Sequence, residues 1–216
     1  MAWTLVNHIQ TGSTNGGVSV TTTAINTTGA DLLLLTVAYY STLPTTLSDS
    51  YSNTWSLISN QSPGGQSAAF YRASGSPTVG TGHTFTASGG TTYPNLAIMA
   101  WSGSAASPLD QFNGSSGTST PPGSITPTVA NELVCLASGT GATFGTTPSG
   151  YTLVDTASQA SGQSIGVGTC YQIQTAATAT NPTWTNSQGI IIASFKMASG
   201  VAPSTIQYRT LMGVGI

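Results

Sequence analysis

The chain has 216 residues, of which only 4% are charged, with three Lys and Arg in total against five Asp and Glu. This low charge excludes a groove that tracks phosphates, because nucleic-acid binding needs several Lys or Arg contacts. A hydrophobic content of 38% argues against intrinsic disorder, which pairs low hydrophobicity with high charge. Many Thr residues, together with 26 Gly and 11 Pro, indicate strands joined by turns, so the composition predicts an all-β protein.

The N-terminal residues 1–8 have neither the basic region nor the apolar region of a secretory signal peptide. No apolar stretch of the sequence reaches the roughly 20 residues that a membrane-spanning helix needs. We therefore expect neither export by that route nor insertion into a membrane.

The most apolar stretch is ADLLLLTVAYY at residues 30–40, which lies between turn-forming Thr, Gly and Pro residues. A continuous apolar run with such boundaries predicts a strand that is buried on both faces. A second run of this kind, NELVCLA at residues 131–137, also begins with a single acid. This second run is the first sign of an internal repeat.

Five strand-like segments recur in the same order, at offsets between 94 and 101 residues. The matched segments are 31–33 with 132–134, 55–58 with 151–154, 70–71 with 170–171, 84–86 with 183–185 and 98–102 with 192–196. This order predicts a jelly-roll-like antiparallel β-sandwich, built from two duplicated halves of about 95–100 residues.

The sandwich domain is expected to cover residues 1–197, with pseudo-repeat halves at about 18–102 and 125–197. Residues 114–122 are predicted to form an exposed connection between them. The halves could form two small sandwiches or one shared sandwich. We expect the shared sandwich, because the fraction of buried surface rises with the size of the core.

Residues 198–216 lie outside the repeat and are predicted to form a C-terminal arm. Residues 206–209 alternate apolar and polar side chains, so the arm either packs on its own domain or adds a strand to a neighbouring subunit. The residues expected at such a subunit contact are Ile206, Tyr208, Arg209, Leu211, Met212 and Ile216.

The histidines and cysteines are too few and too scattered to predict a metal cluster. His8 and His83 have no acid nearby in the sequence, so structural or exposed roles are expected for both. Cys135 and Cys170 lie in apolar segments, which favours reduced thiols in the core. A disulfide between them stays open, because the sequence does not give the distance between the two strands.

The acids do not form a catalytic motif in the sequence. Asp31 and Glu132 are matched positions beside turns, where each is expected to accept turn hydrogen bonds. Residues 49–53 predict an Asx turn rather than a calcium loop, which would need more carboxylates. We find no nucleophile elbow and no phosphate-binding loop. The sequence thus predicts no enzyme, catalytic residue, metal site or cofactor; a glycosidase would need two carboxylates within about 10 Å in a cleft.

Aromatic side chains are the remaining candidates for ligand contact, because carbohydrate binding needs aromatic platforms beside polar loop groups. Trp55, Trp101 and Trp184 lie in repeated strand segments, which indicates core positions. Tyr51 and Tyr93 lie in turn-like sequence, so they are the candidates for glycan contact.

Six motifs combine turn residues with strand residues. They are TGADLL (28–33), LSDSYSNTW (47–55), TVGTGHTFT (78–86), AASPLDQ (105–111), ITPTVANELV (125–134) and NPTW (181–184). Across most of residues 1–197 this pattern resembles a widespread, largely uncharacterised group of β-sandwich proteins from tailed bacteriophages, prophages and bacterial surfaces. The resemblance implies a structural role in a virion or on a cell surface, in some members with glycan binding, and it transfers no catalytic residue.

The expected function is therefore that of a structural protein of a bacteriophage virion, either a capsid decoration protein or a tail- or fibre-associated subunit. Its partners would be copies of itself, in a homo-oligomer, and other virion proteins. It would assemble in the host cytoplasm and act in the virion; a location on the bacterial cell surface is the alternative. The alternative function is a glycan-binding adsorption module with a host surface glycan as its partner.

Overall fold

The structure, a computed structural model, describes residues 2–13, 17–62, 64–90, 92–158 and 165–199. These residues form thirteen strands, and none of their segments is a helix that could cross a membrane. The first eight strands are β1 (Thr4–Gly12), β2 (Ser19–Thr21), β3 (Leu32–Tyr40), β4 (Thr46–Asp49), β5 (Ser56–Gln61), β6 (Gln66–Ser74), β7 (Phe85–Ser88) and β8 (Thr92–Ser102). The others are β9 (Ser104–Ser116), β10 (Glu132–Thr140), β11 (Thr152–Ser158), β12 (Gly166–Gln174) and β13 (Gly189–Met197).

Two five-stranded antiparallel sheets pack face to face. The strand order is β1-β8-β3-β6-β5 in the first sheet and β11-β12-β10-β13-β9 in the second. A three-stranded sheet, β2-β7-β4, covers the outer face of the first sheet. The predicted all-β antiparallel sandwich is confirmed. Its connections differ from those of a jelly roll, because each half of the chain completes one sheet before the next begins.

The second sheet, taken from its β9 edge, has the order β9-β13-β10-β12-β11, which matches the first sheet from β1 strand by strand. The pairing register shifts after Leu57 in β5 and after Leu153 in β11. These two leucines lie opposite Tyr71 and Cys170, so the predicted match of Phe70 with Cys170 is one residue out of register. A common origin of the two halves stays a prediction.

The apolar run of β3 is buried on both faces, as its sequence predicts. Leu32 and Leu34 face the interior between the two large sheets, whereas Leu33 and Leu35 face the three-stranded sheet. This alternation follows from the two-residue period of a strand. The second apolar run, β10, likewise divides its side chains between the shared interior and an outer cluster.

Both halves of the chain contribute to the interior between the large sheets. Phe70 of the first sheet meets Phe195 of the second edge to face, with ring centroids 6.3 Å apart. Trp101 meets Tyr171 in the same way, at 4.7 Å. Each such buried apolar side chain contributes about 1.5–3 kcal/mol to folding, so the two sheets stabilise each other.

Strand β9 corrects one expectation. Residues 114–122 are predicted to be an exposed connection, but the strand continues to Ser116 and is the longest among the described residues. An edge strand pairs on one side only, so it tolerates Pro108 and small polar residues that weaken the strand signal in the sequence.

The predicted arm lies almost entirely outside the described residues. Only Ala198 and Ser199 are described, and the Ala198 N–H donates to the Gly103 carbonyl at 2.8 Å. The predicted subunit contacts Ile206, Tyr208, Arg209, Leu211, Met212 and Ile216 are outside these residues, and the predicted boundary at residue 197 stays a prediction.

Candidate functional site

The turn after β4 is organised by the buried carboxylate of Asp49. Its Oδ1 accepts from the backbone N–H groups of Tyr51 (2.8 Å) and Asn53 (3.3 Å). Its Oδ2 accepts from the indole N–H of Trp55 at 2.8 Å. The bond to the residue two positions on is that of an Asx turn, which the sequence predicts.

His83 joins this turn from the loop before β7. Its Nε2 lies 3.1 Å from Asp49 Oδ1, although poorly aligned for a hydrogen bond, and its Nδ1 lies 2.9 Å from Thr27 Oγ1. The ring stacks on Phe85 at 4.2 Å and meets the edge of Tyr51 at 4.7 Å. Burial lowers the pKa of His83, while the nearby carboxylate of Asp49 acts in the opposite direction. The imidazole is therefore held mainly neutral at pH 7.

Thr27, His83 and Asp49 stand in the hydroxyl, imidazole and carboxylate order of a nucleophilic triad. All three side chains are fully buried, so a substrate could not reach the hydroxyl. Thr27 Oγ1 also bonds to the carbonyl (3.2 Å) and the N–H (3.1 Å) of Gly80. We interpret the network as a clamp that joins three segments: the loop before β3, the turn after β4 and the loop before β7. Sequence spacing could not show it, because its members are far apart along the chain.

An open cleft lies next to this clamp, on the outer face of the first sheet beside β4. We call it the aromatic cleft; it has a volume of about 370 Å³. Its lining residues are Pro44, Thr45, Leu47, Asn53, Thr54, Trp55 and Tyr71. Trp101 and Trp184 are buried as predicted, whereas Trp55 packs against the core cluster of the first sheet but is only half-buried, at the edge of that core.

The two predicted glycan contacts lie apart from each other and outside the aromatic cleft. The Tyr51 hydroxyl donates to the Thr81 carbonyl at 2.6 Å, and its ring packs on His83. Tyr93 has a positive φ of 58° and packs beside a small apolar cluster that includes Ile165. Both side chains are half-buried, and their glycan contact stays a prediction.

A second polar cluster lies on the second sheet. Lys196 Nζ is 2.7 Å from Asp110 Oδ1, and the Thr128 N–H donates to Asp110 Oδ2 at 2.7 Å. Burial alone would raise the pKa of Asp110, but hydrogen bonds from Lys196 and Thr128 hold it below its usual value. The carboxyl of Glu132 is fully buried, and its Oε1 accepts from the Val129 N–H at 3.1 Å. Burial, together with the neighbouring Asp110, raises the pKa of Glu132.

This carboxyl pair does not have the arrangement of a glycosidase. A glycosidase needs both carboxyls open to the scissile bond in a cleft. Here Glu132 is fully buried, and Asp110, whose side chain is only 4% exposed, is occupied by Lys196 and Thr128. We interpret the cluster as a tie between β9, β10 and β13 that also holds the segment before β10.

The remaining acids also have intramolecular partners. Asp31 accepts from the N–H groups of Gly103 and Ser104, each at 3.0 Å. Asp155 lies 2.8 Å from Nδ1 of the exposed His8, so this pair joins β11 to β1 across the side of the sandwich. The predicted turn hydrogen bond of Glu132 is confirmed, because its partner Val129 lies in the adjacent turn. Asp31 instead accepts from the connection between β8 and β9, which is distant in the sequence.

The two thiols are buried and reduced, as favoured by the sequence. They belong to neighbouring strands, but Cys135 faces the interior between the sheets and Cys170 faces the outer cluster with Trp184. A disulfide cannot span opposite faces of a sheet in this way. Burial raises the pKa of both thiols.

One further depression, which we call the end groove, opens at one end of the sandwich with a volume of about 300 Å³. Its lining residues are Ala2, Trp3, Asn131, Ile173 and Met197. The Trp3 indole N–H donates to the Asn131 carbonyl at 3.0 Å. The polar atom of the indole is thus paired within the chain, and the ring gives the groove an apolar wall. Ile173 is 42% exposed here, although it points to the core side of its sheet.

Comparisons with models of protein families, with curated proteins and with solved structures found no match to this chain.

Proposed function

We propose that this protein is a structural subunit of a tailed-bacteriophage virion, as a capsid decoration protein or a tail- or fibre-associated subunit. It acts through protein–protein contacts with copies of itself and with other virion proteins, and it assembles in the host cytoplasm.

The observation that carries this proposal is the end groove. Its apolar wall of Trp3, Ile173 and Met197 lies where the chain leaves β13 toward residues 200–216. That segment contains the apolar residues Ile206, Leu211 and others in a pattern suited to strand addition. We assign the groove to one occupant, the C-terminal segment of a neighbouring copy.

The distribution of charge supports protein contacts in general. All five acids have intramolecular partners, and the single lysine is paired with Asp110. The surface therefore offers few charges that must lose their water at an interface, and interface cores are depleted of charged residues. We also propose that the protein is not an enzyme.

The role in a virion is tested with particles. Tailed particles should be purified from a lysate of the host that carries this gene, and their proteins quantified by mass spectrometry. We expect this chain in a fixed, repeated copy number per particle. Its absence from particles, or its recovery only in the host cell envelope, would contradict the proposal.

The contact itself is tested by oligomeric state, measured by light scattering after size exclusion. Removal of residues 198–216, or Ile173→Ser in the end groove, should convert the oligomer to a monomer. Leu57→Ser is the matched control, because Leu57 is also exposed (49%) but lies on the outer face of the first sheet. A monomeric full-length chain, or an oligomer that survives both changes, would rule out this contact.

A further inference from the structure

The aromatic cleft has the construction of a small-ligand site. Its volume of about 370 Å³ lies within the range of such sites, which combine apolar walls with a few polar groups. Trp55 and Tyr71 provide aromatic walls, and the exposed Thr45 and Thr54 provide hydroxyls at the rim.

The indole of Trp55 is fixed before any ligand arrives. Its N–H donates to the buried carboxylate of Asp49 at 2.8 Å, and its ring meets Phe85 edge to face with centroids 6.1 Å apart. Asn53, which follows the same turn, uses its side chain to hold Asp49 and Thr78. Such preorganisation reduces the entropy that a ligand must lose on binding.

Among the four tryptophans, all of which the structure describes, Trp55 differs in exposure. Trp3, Trp101 and Trp184 are at most 7% exposed, whereas Trp55 is half-buried and lines a cleft. The buried part of the Trp55 indole packs against the core cluster that contains Phe85, while the rest of the side chain lines the cleft. It provides a flat apolar surface to which a ligand can stack.

None of the described residues that line the cleft has a charged side chain. Its one titratable wall, Tyr71, has a pKa raised to about 12 by burial and by the nearby Tyr39, so it stays neutral. An uncharged cleft with an aromatic wall and hydroxyls at its rim complements a neutral ligand with one apolar face and polar edges. A pyranose ring has this form, because its C–H groups lie on its faces and its hydroxyls on its edge.

We propose that the aromatic cleft binds a neutral saccharide, with a pyranose ring stacked on Trp55 and its hydroxyls bonded to Thr45 and Thr54. The site goes beyond the structural role and does not depend on it, since the aromatic cleft and the end groove are formed by different residues. A neutral cell-surface polysaccharide is the class of ligand that such a site on a virion would contact.

The proposal is tested first with a printed array of neutral and anionic bacterial polysaccharides, and with maltohexaose and chitohexaose in calorimetry. We expect the full-length chain to bind at least one neutral glycan, with a Kd between about 10 μM and 1 mM. Binding to none of these glycans, or to anionic ones alone, would overturn the proposal.

Variants then locate the site. Trp55→Ala should weaken binding at least tenfold, because it removes the stacking surface. The double variant Thr45→Ala/Thr54→Ala should weaken it about three- to tenfold, and it keeps the test decisive if Trp55→Ala does not fold. Thr152→Ala, at an exposed threonine of the second sheet, is the matched control and should bind normally. Unchanged affinity in folded cleft variants would place binding elsewhere and overturn the proposal, while the particle and oligomer assays would be unaffected.

Discussion

The two halves of the molecule build sheets with the same strand order but cover the outer faces of these sheets differently. The first sheet is covered by a second layer of strands, β2-β7-β4, whose Phe85 packs on the sheet. The second sheet is covered by irregular segments that place Phe144 and Trp184 on β10 and β12. We call these two outer layers the first and the second cover. Each contains an isolated β-bridge, between Ile25 and His83 in the first and between Ile125 and Thr180 in the second.

The two outer layers differ in their side chains as well as in their backbone structure. The first cover carries a buried histidine–carboxylate pair and, beside it, an open aromatic cleft. In the second cover, Thr180 takes the bridging place of His83, and the indole of Trp184 is fully buried. A shared framework thus leaves specialised function to the outer layers, and we assign ligand binding to the first.

The largest expected effect is on the second cover. Trp184 is fully buried, and its ring lies 4.7 Å from that of Phe144. Trp184→Ala should lower the free energy of unfolding by about 3–5 kcal/mol, because it leaves a large cavity. Phe85→Ala should have a cost of the same order, which urea denaturation would measure. A decrease in the free energy of unfolding below about 1 kcal/mol for Trp184→Ala would contradict this prediction. It would show that the irregular segments pack on the second sheet without the Trp184 side chain.

The second prediction concerns the dependence of stability on pH in the first cover. Because burial lowers the pKa of His83 in the folded state, the unfolded chain binds the proton more readily. The stability that neutral His83 contributes is present above its ordinary pKa of 6.5 and is lost as the pH falls toward the folded-state pKa. The slope from one proton is at most about 1.4 kcal/mol per pH unit.

Chemical denaturation between pH 7 and pH 5 would measure this slope. His83→Gln should reduce the slope relative to the unsubstituted chain. An equal slope in the His83 variant would show that Asp49 compensates for the buried ring.

The smallest expected effect is the pH dependence that Glu132 gives to the second half of the chain. There, stability falls rather than rises as the pH increases. Burial raises the pKa of Glu132, so its contribution is present below the ordinary pKa of 4.5 and is lost as the pH rises through the folded-state pKa. Glu132→Gln keeps an acceptor for the Val129 N–H, and we expect a change within about 1 kcal/mol at pH 7. In this variant, the free energy of unfolding should no longer fall as the pH is raised from 4 to 7. Persistence of that loss would assign it to another group, with Asp155 the next to test, because burial raises its pKa as well.

The sequence predicts the framework well because apolar runs report directly on burial. Residues 30–40 and 131–137 are the central strands of their sheets, and their order predicts the sandwich. Strand β9 escapes prediction because an edge strand needs no apolar period, and its Pro108 is typical of a loop.

The candidate site is harder to predict, because its contacts join residues that are distant in the chain. The local turn between Asp49 and Tyr51 is predictable from the sequence, but the approach of His83 to Asp49 depends on how β4 pairs with β7. Trp55 has the sequence context of a core residue, and only the packed structure shows that one part of the ring remains exposed.

The assignment of ligand binding to the outer layer of the first half is tested most directly by fluorine NMR of protein labelled with 5-fluorotryptophan. The four signals are assigned by Trp→Phe variants, and the neutral glycan that binds best is added. Our account predicts that the signal of Trp55 shifts with saturation while that of Trp184, the aromatic centre of the second cover, does not. A shift at Trp184 or Trp3 without one at Trp55, or no shift with any neutral glycan, would contradict it.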